Sequence, residues 1–481
     1  MGKLKISGKD LREIGYPQGP VIAAAISTAT ENYPTYTKNQ VLKILEHVLL
    51  HPMDYTTDKT FGKVAQFLVP KQKDESEIYL NSTGVPVTIF GEAFIEQGAI
   101  DQINTAARLP IAIAAALMPD AHQGYGLPIG GVLATDGAVI PYGVGVDIGC
   151  RMCLSLFDIT PEELTTNEKT FSRIIEENTL FGAGKEFKKP TDHAVLNRSE
   201  FKEVGILKSL KAKAVAQLGS SGSGNHFVEF GIVDIKEQDE ILKLAPGRYV
   251  GLLSHSGSRA VGANVANHFT RIAKEKRKLQ PSAANLAWLN LNEEAGAEYW
   301  LAMNLAGDYA SACHQVIHDK IKMALGTEPL TRVENHHNFA WKETHNGWEV
   351  IVHRKGATPA GKDVLGIIPG SMTAPGFIIK GLGDEGSLLS ASHGAGRKMS
   401  RTAAMKEISH GSLQEALKQH GVTLMGGGLD EAPLAYKDIY RVMQAQQQLV
   451  DTVGVFHPKI VKMDASAPKH WKKQSAVLQG E

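Results

Sequence analysis

Between Tyr36 and Leu50 the apolar residues Val41, Leu42, Leu45, Val48 and Leu49 recur at helical spacing, and Pro52 follows. The pattern predicts an amphipathic helix that stops before the proline. Residues 1–75 read as a separate N-terminal segment, with the charged run KQKDESE at Lys71–Glu77 as connector. From about residue 79 to 156 the period shortens, and the runs VPVTIF, GGVLAT, GAVIPYGVGVDIGC and MCLSLFD, broken by glycines, predict strands and tight turns. After Thr160 the sequence TPEEL supplies an N-cap, a proline at the first helical position and Glu163 at the capping-box position, so a helix follows. Residues 281–326 are expected to be largely helical, with Trp300, Met303, Leu305, Tyr309 and Val316 as apolar positions and Gly326 as C-cap. Strands are predicted at 349–353, 365–368 and 377–380, and a last helix from about Ala432 to Val450. The tail, residues 464–481, is poor in apolar residues and is expected to be loosely ordered. Helical and strand patterns alternate irregularly and no internal repeat appears. An α+β fold with mixed or antiparallel sheets surrounded by helices is the consequence, its main domain spanning 79–463.

The charge balance narrows the partners. With 51 Lys+Arg against 51 Asp+Glu the formal net charge is zero, so any contact with nucleic acid must rely on a local basic surface. Three cysteines, Cys150, Cys153 and Cys313, are too few for a secreted disulfide framework and fit a reducing compartment, which points to the cytoplasm. The longest apolar run, IAIAAALM at 111–118, is too short to cross a bilayer, so no membrane contact is expected. The 48 glycines exceed the average share of about 7% and cluster in short segments, which suggests sites built from backbone.

Three motifs mislead. Gly381-Leu-Gly-Asp-Glu-Gly386 has dinucleotide-loop spacing, but its two acids would face the phosphates and no helical pattern follows. Cys150 and Cys153 form a C-x-x-C without a second pair or a thioredoxin-like context. His314 and His318 lie four apart in a helical stretch without the glutamate of H-E-x-x-H, so a solvated helix face is expected. No phosphate-binding P-loop is present.

What remains is a series of glycine-flanked polar clusters at predicted strand ends: PDAHQGYGLPIGG, GVGVDIGC, GSSGSGNHFVEF, SHSGSR, ENHHNFAW, VHRKGATPA, IIPGSM and SHGAGRKMSR. Asp147 and Cys150 flank one short turn, and His226, His255 and His337 add imidazoles. A mixed O, S and N donor set favours a divalent transition ion such as Mn²⁺ or Zn²⁺, and a thiolate can bridge two ions. The GSSGSGN, PGSM and HGAGR segments offer backbone N–H groups and hydroxyls to phosphate oxygens. Metal ions beside phosphate cradles point to phosphoryl or nucleotidyl transfer.

In order, MPDAHQGYGLPIGG, GVGVDIGC, LGSSGSGNHFVE, HSGSR, HHN, HRKGAT, IPGSM, HGAGR and DEAPLAYKD resemble the RtcB family of GTP-dependent RNA ligases from about Met118 to Met463. The resemblance implies an RtcB-like fold around a central cleft with two Mn²⁺ ions: Cys150 bridging them, Asp147 and His226 on one, His255 and His337 on the other. It further implies that His393 is the nucleophile guanylylated by GTP. Asn225, Glu229, Ser371 and Tyr436 would contact the nucleotide, with Asn338, Gly394, Ala395 and Gly396 as neighbours. The implied activity joins RNA 3′-phosphate or 2′,3′-cyclic phosphate ends to 5′-hydroxyl ends, as in RNA repair or tRNA splicing, and an archease-like activating partner accompanies it. Arg259, Lys355, Arg397 and Arg401 would line the RNA path, with Lys469, Lys472 and Lys473 around Trp471 as further cations.

The chain also departs from the family pattern. Pro359 replaces the usual arginine after HRKGAT, Gly376 stands where a second hydroxyl is expected, and Lys462 in HPKIVKMD is the nearest counterpart of the family's C-terminal guanine-binding lysine, one residue short in spacing. Pro359 and Gly376 motivate one alternative, an enzyme that guanylylates or processes RNA 3′ ends with poor sealing; a non-catalytic RNA- or nucleotide-binding paralogue is a second, from another class.

Overall fold

The computed structural model describes residues 6–69 and 77–465. The chain divides into two compact units, 1–77 and 78–481. The charged connector falls mainly, and the tail cations Lys469, Lys472 and Lys473 entirely, outside the described residues.

The first unit is helical: Gly8–Glu13, Pro20–Asn32, Lys38–Leu50 and Gly62–Leu68 enclose Leu11, Val21, Ala25, Val41, Leu45, Val48 and Phe61. Its third helix starts at Thr37, whose hydroxyl accepts from the Gln40 N–H while Gln40 Oε1 accepts from the Thr37 N–H. That reciprocal cap fixes the start, and the apolar stripe anticipated from Val41, Leu45 and Val48 faces the core.

The second unit is built on two mixed sheets. One has five strands in the order Val87–Ile89, Ala112–His122, Ile129–Thr135, Trp348–Lys355, Asn338–His345. The other runs Leu365–Ile368, Gly376–Gly381, Val450–Met463, Phe227–Ile235, Gly247–Ser256, Arg151–Phe157, Thr331–His336, with Thr423–Met425 added beside Val450–Met463. Only the Val87–Ile89 and Thr423–Met425 pairings are parallel. The helix Glu294–Leu325 ends at Gly326 in the left-handed conformation, and it buries Tyr299, Met303, Leu305, Tyr309, Val316 and Ile317. The expected α+β architecture with mixed sheets is present. Among the described residues no helix is long and apolar enough to cross a membrane.

Three local expectations fail. GAVIPYGVGVDIGC is not a strand: only Ala138–Val139 pairs, Pro141 opens a helical turn through Val144, and a loop with Gly145 and Gly149 at positive φ leads to Cys150. The helix from Ala432 to Val450 shrinks to Ile439–Gln444. Tyr436 stays extended there because it bridges Arg397 and the Lys437 N–H donates to the Gly396 carbonyl, so tertiary pairing overrides helical propensity. Beyond that helix, where no element was expected, Val450–Met463 forms the longest strand among the described residues, alternating between buried and partly exposed positions from Val453 to Ile460. At Thr160 the hydroxyl does accept from the Glu163 N–H, but the return bond from Glu163 is not made.

Candidate functional site

Four neighbouring strands of the larger sheet end at one edge. Phe227 pairs with His255, Met152 with His255, and Arg151 with both Ser256 and His336. The residues at or just beyond these ends are His226, His255, Cys150 and His337, so the register gathers them. Asp147 joins through the turn that precedes Cys150, where the Cys150 N–H donates to the Asp147 carbonyl at 3.1 Å. Gly149 makes this turn feasible: its φ is +69°, and a Cβ there would stand 2.7 Å from the Gly307 backbone.

Cys150 Sγ lies 3.1 Å from His255 Nε2 and 3.4 Å from His226 Nε2. His255 Nε2 is 3.2 Å from His337 Nε2, and His226 Nε2 is 3.0 Å from Asp147 Oδ2. Two donor groups result, Cys150/His255/His337 and Asp147/Cys150/His226, and Cys150 belongs to both. Metal–ligand bonds of about 2.0–2.3 Å imply ligand–ligand edges of roughly 3.0–3.6 Å, so these separations fit bound ions. Protonation fits as well. Burial holds His226 and His337 below the ordinary histidine range and takes His255 down to about 3, leaving neutral imidazoles. His255 Nδ1 donates to the Asn225 carbonyl at 3.0 Å, which leaves Nε2 unprotonated and facing the other donors. Burial, reinforced by Asp147, pushes the Cys150 thiol up, so it needs a cation beside it to ionise.

His393 follows the strand Ser390–Ser392 and its ring centroid is 5.0 Å from that of His337. Both its backbone N–H and Nδ1 donate to Asp120 Oδ2, at 3.2 and 2.7 Å. Burial pushes the Asp120 carboxyl up, but the hydrogen bond and charge of His393, with Lys437, outweigh it and hold it below the usual range. Gly396, φ +70°, packs on the Asp120 carbonyl, where a Cβ would come within 2.1 Å of the oxygen. Sequence reasoning missed Asp120 as the partner of His393. The signal was present in MPDAHQG, a carboxylate within a strand that ends at a glycine turn.

A cavity of about 320 Å³ brings together His122, Asp147, Cys150, Asn225, His255, His337, Asn338, His393 and Gly394–Arg397. It shares Asn225, Phe227, Pro369, Gly370 and Tyr436 with a second pocket whose walls include Glu229, Ser371, Gly376 and Glu431. Burial raises the Glu229 carboxyl well above its ordinary value, so it rests neutral in this pocket, and N–H donors from a ligand would favour its ionised, accepting form. Asn338 braces the site, accepting from the Gly356 N–H at 2.8 Å and donating to the Asp147 carbonyl at 3.4 Å.

Other expected residues are elsewhere or already engaged. Lys462 is absent from both pockets. Glu229 pairs with Val461 and Lys462 with Val228, so strand alternation turns Val461 and Met463 toward the pocket while Lys462 bonds Glu176 at 2.8 Å. Lys355 is buried, donates to the Tyr125 carbonyl at 2.6 Å and has its amine brought down to about 7 by burial. Arg259 donates to His226 Nδ1 at 2.8 Å, so the neutral ring carries its proton on Nε2 toward Asp147 Oδ2, and an ion at Nε2 would require that proton to leave or the Arg259 contact to break. Arg397 and Arg401 line the main cavity but both pair with Glu431, and Arg401 also with Asp430 at 2.6 Å.

His314 and His318 are fully buried, not solvated, and lie near Cys153. Their hydrogen bonds close without an ion. Arg332 donates to Ser155, Ser155 to His318 Nδ1, His318 Nε2 to Ser254, Ser254 to His314 Nδ1, and His314 Nε2 to the Ser256 carbonyl, over 2.6–3.2 Å. The serine–histidine spacings of 2.6–2.8 Å are hydrogen-bond lengths, shorter than metal-site edges. This relay fixes the serines on either side of His255.

Compared with known proteins, residues 102–464 match the family described as tRNA-splicing ligase RtcB. The chain is 34% identical to the RNA-splicing ligase RtcB of Escherichia coli K12, over 78% of this chain and 96% of that one. It is 32% identical to the tRNA-splicing ligase RtcB of Methanococcus maripaludis, over 72% and 87%, and 30% identical to the RNA-splicing ligase RtcB of Mycobacterium tuberculosis, over 72% and 96%.

Proposed function

Because the chain belongs to the RtcB family of tRNA-splicing ligases, we propose that it is a GTP- and Mn²⁺-dependent enzyme joining RNA 3′-phosphate or 2′,3′-cyclic phosphate ends to 5′-hydroxyl ends. The observation that carries this reading is that two donor groups sharing Cys150 border one cavity, which Asp147, Cys150, His255 and His337 line together with His393, a histidine oriented by a buried carboxylate. When bound, two ions would neutralise phosphate charge beside the reacting phosphorus.

The chain's own groups do the rest. Asp120 keeps the proton of His393 on Nδ1, so Nε2 is the nucleophile. Nε2 attacks the α-phosphorus of GTP and pyrophosphate leaves. The guanylyl group then passes to an RNA 3′-phosphate, and a 5′-hydroxyl displaces GMP. Glu229, buried in the adjoining pocket, accepts the N–H donors of guanine; Asn225, Ser371 and Tyr436 complete the nucleotide contacts, with Asn338 and Gly394–Gly396 beside the phosphates. The intact donor set and His393 favour catalysis over a merely RNA-binding role.

The test is incubation with Mn²⁺ and α-labelled GTP. An acid-labile adduct is expected that His393→Ala abolishes, and its absence under metal-replete conditions overturns the proposal. Adding RNA with 3′-phosphate and 5′-hydroxyl ends should give joined product; accumulation of 3′-capped RNA alone would reassign the protein to end processing.

A further inference from the structure

The strand Ala112–His122 carries two side chains toward the nucleophile. Its register against the neighbouring strand shifts between Leu117 and His122, and in this irregular end Asp120 bonds His393 while His122 lines the cavity that holds His393. Across the ladder His122 pairs with Ile129. Ile129 packs against Gly356, and Gly356 in turn abuts His393, since a Cβ there would stand 3.1 Å from His393 Cε1.

His122 has a defined tautomer. Its Nδ1 lies 3.1 Å from the backbone carbonyl of Asp120, and a carbonyl can only accept, so the proton is on Nδ1 and Nε2 holds a lone pair. No other hydrogen bond of the His122 side chain occurs among the described residues. It belongs to neither donor group of the candidate metal centre. Burial brings its imidazole down to about 4, so the neutral, proton-accepting form prevails at physiological pH, and anionic phosphates entering the cavity would raise its basicity. The reaction proposed above gives His393, the donor set and Glu229 their tasks but leaves one task unassigned: removal of the proton from the attacking 5′-hydroxyl.

We propose that His122 is the general base of the sealing step, its Nε2 receiving the proton of the RNA 5′-hydroxyl. This rests on the RNA-ligase reading. The O–H bond breaks as its proton passes to Nε2, and the 5′-oxygen bonds to phosphorus of the activated RNA 3′-phosphate. The P–O bond to GMP breaks, with its electron pair leaving on GMP. The imidazolium then returns its proton to the departing phosphate or to water, and nothing is oxidised or reduced. Guanylylation of His393 needs no such base, because Nε2 of His393 is already unprotonated.

The two chemistries separate in a step-resolved assay with Mn²⁺-loaded protein. His122→Ala and His122→Asn should form the GMP adduct and transfer GMP to an RNA 3′-phosphate within about threefold of the parent. Sealing of RNA that already bears the 3′ guanosine diphosphate end should fall about 10²–10⁴-fold, the usual contribution of a general base. The asparagine amide can still donate to the Asp120 carbonyl but has no counterpart of Nε2, so it should be as defective as alanine. Added imidazole should partly restore sealing by the alanine variant. Sealing within threefold of the parent in the asparagine variant overturns the proposal, as does an equal loss at all three steps. Failure of the parent protein to form an adduct would instead overturn the ligase reading.

Discussion

Replacing Asp120 by asparagine isolates what the carboxylate does for His393. Asp120 is fully buried, and one oxygen, Oδ2, receives both the backbone N–H and Nδ1–H of His393. Hydrogen bonds to a charged group contribute about 1.5–3 kcal/mol each, and the imidazole gains positive charge as its Nε2 bonds to phosphorus, so the carboxylate matters more in the transition state than before it. Asparagine has the same shape without the charge. If its oxygen faces His393 the tautomer survives but the charge compensation is lost; if its NH₂ does, the ring proton is forced onto Nε2 and the nucleophile is blocked. A comparable Asp→Asn change behind a catalytic histidine costs about 10⁴ in rate. We therefore expect adduct formation to slow by about 10²–10⁴, equivalent to roughly 3–5 kcal/mol at 1.36 kcal/mol per decade. Single-turnover labelling with saturating GTP and Mn²⁺ measures this, with elemental analysis confirming that metal content is unchanged, since Asp120 belongs to neither donor group. A folded, metal-loaded Asp120→Asn protein that forms adduct within tenfold of the parent rate would refute the reasoning.

Three further outcomes follow from the same geometry. Cys150→Ala should lose both ions by elemental analysis whereas Cys153→Ala keeps them, and equal loss in the two would contradict a single shared thiolate. Glu229→Ala should weaken GTP binding about 10–100-fold, the order expected when a ligand's N–H groups lose their buried acceptor, while Lys462→Ala changes it less than threefold; a large effect at Lys462 would mean that the strand face was misassigned. Acid should destabilise the fold early. Burial holds His336 down to about 3 and His353 to about 4, whereas an unfolded histidine titrates near 6.5, so the unfolded chain binds more protons in between. Their contribution is complete above pH 6.5 and declines as pH falls toward 4. Urea midpoints that stay flat from pH 6.5 to 4.5 would refute it.

The residues legible in the sequence are those whose function is written into local pattern. A polar residue beside glycines at the end of an apolar run reads as a side chain delivered by a strand to a turn; Asp147, Cys150, His226, His255 and His337 stood out that way and the structure brings them together, whereas His393 was singled out only through the family resemblance. Facts that depend on distant partners were not legible. His314 and His318 share a helix face, but whether it is wet or dry is decided by Ser155 and Ser254, 163 and 64 residues from His318. Lys462 fails by parity: strand residues alternate faces, so its usefulness turns on whether Glu229 pairs with 461 or 462, and register is not written in either strand alone. The helix anticipated over 432–450 was lost because Tyr436 and Lys437 bond to Arg397 and Gly396, a constraint that no propensity encodes.

The balance of 51 basic and 51 acidic residues takes on a definite meaning once the cations are placed. All four expected along the RNA path have partners: Arg397 and Arg401 share Glu431, Arg259 donates to His226, and Lys355 is buried against a carbonyl. Breaking a buried ion pair costs about 3–5 kcal/mol, so a phosphate cannot recruit these arginines without releasing a buried carboxylate. On the reading proposed above, the charge of the RNA ends would be met largely by ions held at Asp147, Cys150 and the three histidines, together with backbone N–H groups of the glycine-rich loops. Each phosphate neutralised by a protein cation on a single strand adds about 0.7 to the log–log salt slope, so few such contacts mean a slope of roughly 1–2. A slope near 7, as for ten contacts, would show that an extended basic surface away from this cavity holds the RNA, and would return the neutral total to being only an average.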